Sequence, residues 1–123
     1  GLLLRNSPPS SRPFLLSRSF FAGQQKFGAV WTGDNKATFE EMELSVSMIL
    51  SLGVAGMGFA GADVGGFAGN SSEELIVKWY WLGMFYPFMR EHCHEGEKHR
   101  EPYMFKGIAL EAIRKAIQKR QML

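Results

Sequence analysis

The sequence predicts an α/β protein, a part of a (β/α)8 TIM barrel holding about three βα units, and three observations carry this reading. Strand-like segments run into turns at Asp34 and again at Asp63, 29 residues apart. Each is followed by an amphipathic stretch opened by a Thr or Ser with a Glu three residues later, the signature of a capped helix. Parallel strands need helical crossovers of this kind, yet 123 residues hold three units at most, too few to close a barrel of eight.

Composition agrees with a folded domain or part of one. Hydrophobic residues make up 46% and charged residues 21% of the chain, which disfavours disorder and collagen-like repetition. A net charge of +2 is too weak a field to nominate nucleic acid or an anionic membrane as partner. The single cysteine, Cys93, leaves the redox compartment open. Residues 1–11 are expected to form an irregular lead-in; Arg5 and the Pro8-Pro9 pair interrupt its apolar run, so it does not read as a secretory signal.

Taken in order, Arg12 to Phe21 (RPFLLSRSFF) reads as a first strand, and Ala22 to Lys26 as a Gly-rich turn. FGAVWTGDN, residues 27–35, reads as a second strand ending near Asp34. Thr38 and Glu41 cap a helix in which Met42, Val46, Ile49 and Leu50 recur at helical spacing and which Gly53 is expected to stop. GMGFAGADVGGF, residues 56–67, suits a short buried strand opening into a loop after Ala62. Ser71 and Glu74 open the next helix, with Leu75, Trp79, Leu82 and Tyr86 on one face and a kink expected at Pro87. A polar loop, HCHEGEKHREP, leads to a terminal helix over 108–123. Leu110, Ile113 and Ile117 line one side of it, while Arg114, Lys115, Lys119 and Arg120 are expected to be solvated or to favour its C-terminus.

Three sharper motifs give way to plainer readings. Gly56, Gly58 and Gly61 spell GxGxxG, but five glycines between 56 and 66 prevent the helix whose N-terminus would hold a pyrophosphate. Leu44 to Ala62 carries no charge over nineteen positions, yet its Gly and Ser content and its division into helix and strand argue against a membrane span. His92, Cys93, His94 and His99 lack the C-x-x-C or H-E-x-x-H spacing of a zinc site, so no metal is expected.

Asp34, taken by itself, would be a turn residue. However, Trp31 lies three residues earlier, Arg18 belongs to the preceding strand and Asp63 ends the following one, and barrels carry their working side chains at the C-terminal ends of strands. Aromatic faces with carboxylates and an arginine suit a polyhydroxylated sugar, the rings covering its apolar faces and the charged groups taking its hydroxyls.

RPFLLSRSFFAGQQKFGAVWTGDN, SLGVAGMGFAGADVGGF and MFYPFMREHCHEGEKHREP, in that order, resemble the catalytic barrel of glycoside hydrolase family 31, in its neutral α-glucosidase and glucosidase II α-subunit branch. The resemblance runs from about Gly1 to Arg120. It implies that Asp34, in WTGDN, is the general acid/base, and that Arg18, Trp31, Asp63, Phe67 and His92 bind the substrate sugar. It also implies retaining hydrolysis, which takes two carboxylates and no cofactor. The family's nucleophile stands in an upstream W-x-D-M-N-E motif, which this sequence does not contain. IRKAIQKRQML is similar to the helix that follows in the family, with Gln121 where a tyrosine is usual; Ser47 and Phe39 replace a usual proline and tryptophan.

The resemblance therefore implies a segment of an α-glucosidase acting on terminal α-linked glucose of oligosaccharides or N-glycans, inactive by itself. A non-catalytic β-subunit partner and the endoplasmic reticulum lumen are implied in the same way. The alternative is a non-catalytic, truncated carbohydrate- or protein-binding fragment. Unpaired strand edges and apolar faces predict that the chain in isolation is only marginally soluble or needs the rest of the barrel.

Overall fold

The computed structural model describes residues 13–123. All its strands are short and parallel: β1 (Leu16–Ser17), β2 (Ala29–Trp31), β3 (Ala60–Gly61), β4 (Asp63–Val64) and β5 (Arg90–Glu91). Three helices follow strands in turn: α1 (Phe39–Val54) after β2, α2 (Glu73–Gly83) after β4 and α3 (Gly107–Arg120) after β5. This is a β/α fold of three strand–helix units preceded by β1.

Sheet order is β1-β2-β3 in one ladder and β4-β5 in the other. The ribbon 60–64 joins the two, its first half pairing with β2 (Val30 opposite Ala60) and its second with β5 (Asp63 opposite Arg90). Gly61 makes this exchange possible, because a Cβ there would meet the Phe88 carbonyl oxygen at 1.7 Å. Phe88 N in turn donates to Ala60 O at 3.0 Å, stitching the ladders at the crossover. Asp63 therefore opens a strand, where the sequence reading placed a loop after Ala62.

The first strand is also shorter than the predicted 12–21, because the parallel ladder engages only Leu16 and Ser17; Arg12 and the predicted lead-in 1–11 lie outside the described residues.

Thr38 caps α1 as expected, its Oγ1 accepting from Glu41 N at 3.3 Å. Gly53 does not stop the helix, which runs on to Val54. Ser72 rather than Ser71 caps α2, its hydroxyl accepting from Leu75 N at 3.2 Å. Pro87 kinks nothing: α2 ends at Gly83, and Pro87 lies in the turn leading to β5. At the far end Arg120 lies in the last turn of α3, as expected, and is half-buried. Its guanidinium donates to the carbonyls of Met84 (2.8 Å), Tyr86 (2.6 Å) and Pro87 (3.0 Å), so α3 holds the turn that leads into β5.

The main core lies where α2 and α3 meet the outer face of the sheet. Trp79, Ile76 and Ile113 are fully buried against Val64, Ala62 and Ala116. Each such side chain contributes on the order of 1.5–3 kcal/mol by leaving water. A smaller cluster of Val30, Met57 and Ala60, backed by Ile49 and Leu52, seats α1 on β2 and β3. The uncharged stretch 44–62 is thus divided between α1 and β3, and no described helix is long and apolar enough to cross a membrane. Gly56 and Gly58 lie in the connection into β3, ahead of a strand and not at the start of a helix.

Candidate functional site at the C-terminal ends of the strands

Register fixes which side chains share a face. In a parallel pair, opposed residues point the same way and alternate residues follow them. Val30 packs on Met57 and Ala60, and Trp31, the next residue, turns its ring to Arg90. Arg18 follows β1, Asp34 follows β2, and Asp63 opposes Arg90 across β4 and β5. Arg18 and Asp34 thus lie past the C-terminal ends of β1 and β2, while Asp63 lies past the end of β3 and opens β4.

Asp34 projects from a loop that its neighbour anchors. Asn35 is buried, accepts from Thr32 Oγ1 at 2.6 Å, donates to Glu41 Oε2 at 3.3 Å, and offers its carbonyl to the amides of Phe67 (2.7 Å) and Ala68 (3.0 Å). Glu41, which a full capping box would turn back to Thr38, is thus used to hold this loop. The Asp34 carboxylate keeps 38% exposure and accepts from Arg18 Nη1 at 3.0 Å. The two groups border a cleft of about 730 Å³ with Trp31, Phe20 and Ser47 on its walls.

Asp63 is sequestered beside this pair. Its side chain is 1% exposed, and Oδ1 accepts from both Nε (3.1 Å) and Nη2 of Arg90. Burial pushes its carboxyl above the ordinary carboxylate range; the Arg90 hydrogen bond and charge and the nearby His92 oppose this, while the Asp34 charge adds to it. Arg90 itself lies 5.2 Å from the centre of the Trp31 ring. Trp31 Nε1 and Asp63 Oδ2 are buried and find no partner among the described residues.

Phe67 and His92 form the third part, their rings 5.4 Å apart and tilted by 30°, with His94 meeting Phe67 edge-on at 5.7 Å. The histidines and Cys93 make no group able to hold a metal among the described residues: Cys93 Sγ lies 4.0 Å from Lys98 O, and His99 pairs with Glu101 at 3.2 Å.

The six residues singled out from the sequence thus fall into three contacting groups, Arg18–Asp34, Trp31–Arg90–Asp63 and Phe67–His92. Arg90, which joins two of them, was not among the six. The signal for it in the sequence is its position two residues before His92, the alternation that puts side chains of extended backbone on one side.

A carboxyl open to solvent and held by a guanidinium can give up and take back a proton. Beside it stand an indole, a phenyl ring and further hydrogen-bonding groups, the chemistry that grips a sugar ring.

Residues 3–123 match the glycosyl hydrolases family 31 TIM-barrel domain. Neutral alpha-glucosidase C of Mus musculus is 51% identical over 121 residues, covering 98% of this chain and 14% of that protein. Two crystal structures superpose with a TM-score of 0.86 at 50% identity, each covering 89% of this chain and 12% of its own: glucosidase II alpha subunit in its alpha3-Glc2-bound form, and the ER glucosidase II heterodimeric complex of the catalytic subunit with the binding domain of the regulatory subunit. The chain spans about an eighth of the length of such relatives. With its parallel strands, its helical crossovers and this match over nearly its whole length, the chain belongs to glycosyl hydrolase family 31 and forms part of that family's TIM-barrel domain.

Proposed function

We propose that this chain is the acid/base-bearing part of a retaining α-glucosidase that removes terminal α-linked glucose from oligosaccharides or N-glycans. The observation that carries the reading is the Arg18–Asp34 pair: a half-exposed carboxylate past the end of β2, met at 3.0 Å by a guanidinium from the end of β1. Asp34 would protonate the glycosidic oxygen as the bond to the anomeric carbon breaks, then take a proton from the water that releases the glucose.

Arg18, Trp31, Asp63, Phe67 and His92 would hold the sugar. The Phe67 ring would give the sugar an apolar face, and the Arg18 guanidinium a donor to its hydroxyls. The second carboxylate, the nucleophile, would come from the family's W-x-D-M-N-E motif on another strand of the barrel. For that reason the isolated chain is expected to bind but not to turn over. No cofactor enters this chemistry. By similarity to the glucosidase II relatives, the parent protein would work in the endoplasmic reticulum lumen with a non-catalytic β-subunit.

The test seats this sequence in a complete family 31 barrel, in place of the matching stretch, and replaces Asp34 with Asn. Substrates with poor leaving groups should lose hydrolysis by roughly 10²–10⁴-fold, the contribution of a positioned general acid. Aryl glucosides that leave without protonation should keep their first step. Unchanged hydrolysis of the poor leaving groups would overturn the assignment of Asp34.

A further inference from the structure

Arg100 is 3% exposed, a buried charge near the end of the HCHEGEKHREP loop to which the sequence assigns no role. Its guanidinium is aimed at one loop. Nη1 donates to the carbonyls of Gly65 and Gly66, each at 2.7 Å, and Nη2 to that of Gly69 at 3.0 Å. The loop it holds runs from the end of β4 to α2 and carries Phe67. Gly65 is needed for this approach, since at its φ of +93° a Cβ would stand 3.0 Å from Arg100 Cδ and 2.3 Å from Ile76 Cδ1.

A single planar group thus takes carbonyls on both sides of Phe67, so the backbone from which that ring projects is bracketed. The same loop reaches the residue next to Asp34, because Phe67 N and Ala68 N both donate to Asn35 O. Its other edge is tied to the segment that bears the histidines, His94 N donating to Phe67 O at 3.0 Å and Gly69 N to Glu97 Oε1 at 2.9 Å. We propose that Arg100 is a positioning residue for the sugar-facing wall, acting through the 65–69 loop to set the Phe67 ring against His92. This rests on the α-glucosidase reading above for its kinetic consequence, though not for its geometry. A lysine keeps the charge but lacks the fork that serves three carbonyls from one plane.

The experiment uses the complete barrel carrying this sequence, with Arg100→Lys, Phe67→Ala and the double variant. A crystal structure of the Arg100→Lys barrel should show the Phe67 ring displaced by about 1 Å, a shift able to cost up to about 10²-fold in rate. Accordingly kcat/KM for a glucoside should fall roughly tenfold or more. In the Phe67→Ala background, adding Arg100→Lys should change it by less than about twofold, because residues that act through one contact are not additive. An unmoved ring, or losses that multiply in the double variant, would overturn the proposal. If Phe67→Ala alone leaves kcat/KM unchanged, the sugar-contact role of Phe67 fails, and the ring position still decides the role of Arg100. Should Arg100→Lys yield no folded barrel, Glu97→Ala frees Gly69 N from the solvent side. A loss there that vanishes with Phe67→Ala supports the positioning loop, and no loss overturns it.

Discussion

Asp63 and Arg90 stand directly opposite each other across β4 and β5, and the guanidinium bonds one carboxylate oxygen through two of its nitrogens while lying over the Trp31 ring. One side chain therefore neutralises a buried acid and supports the indole beside Asp34. The ladder register of two short strands is what makes the three coincide.

Removing one member of this pair should cost far more than its surface position suggests. Arg90→Met strands the Asp63 carboxylate, which is 1% exposed, whereas Arg90 itself keeps 26%. Breaking such a pair is worth roughly 3 kcal/mol, at the lower end of the range for buried pairs. Urea unfolding should show that loss for Arg90→Met and a distinctly smaller one for the double variant Asp63→Asn with Arg90→Met. Equal losses would mean the charge of Asp63 is not what is left uncompensated.

Burial also gives these acids a pH signature. The Asp63 and Glu91 carboxyls are both pushed above the ordinary range, chiefly by burial, with the Glu101 charge adding to the effect on Glu91. Folded-state pKa values above the unfolded ones mean that the protonated forms favour folding. The stabilisation they give is present below the unfolded values of about 4 and is lost as pH rises through the folded ones. Glu91→Gln should then stabilise the chain at neutral pH, and the gain should shrink toward about pH 4. Denaturant titrations at the two pH values check this; a gain that grows on acidification would reverse the sign and refute it.

A second buried network ties α1 to the turn before β5. Ser45 Oγ and Tyr86 Oη lie 2.6 Å apart, Trp79 Nε1 donates to the same phenol oxygen at 3.2 Å, and Ser45 also donates to Met42 O at 2.6 Å. Tyr86→Phe keeps the ring but leaves the indole N–H buried without an acceptor, which costs about 1–3 kcal/mol. A thermal melt should record the loss, and Ser45→Ala should cost less, because Tyr86 then keeps Trp79. The reverse order would place the strength of the network in the serine.

Much of this was legible in the sequence because helix caps and strand ends carry local chemistry. Thr38 with Glu41, and the aspartates that follow the two strand-like segments, mark where helices start and where side chains emerge. What was illegible depended on partners distant in the chain. Ser71 with Glu74 is the better cap on paper, yet Ser72 caps the helix, which carries Leu75 and Ile76 into the core. Arg90, Arg100 and Arg120 look like ordinary solvated charge, yet each is fixed by a carboxylate or by carbonyls 27 to 36 positions away. Observed strands are shorter than predicted because an apolar run such as RPFLLSRSFF gives no hint that, among its described residues, Leu16 and Ser17 alone find a neighbour in register.

Arg18 separates stability from chemistry. Its side chain is 63% exposed and that of Asp34 38%, so as a surface ion pair it should contribute under about 1 kcal/mol to folding, and Arg18→Met should melt nearly as the parent chain does. In the complete barrel the same substitution removes a charge-assisted donor, a loss of roughly 1.5–3 kcal/mol. That corresponds to a fall of about 10- to 160-fold in kcat/KM for a glucoside. The pattern across substrates identifies what Arg18 does. If it only orients Asp34, the loss should track leaving-group basicity, as for Asp34→Asn. If it also grips the sugar, activated aryl glucosides should suffer equally. The proposed function requires the second pattern, and a loss confined to poor leaving groups would remove Arg18 from the sugar-binding wall.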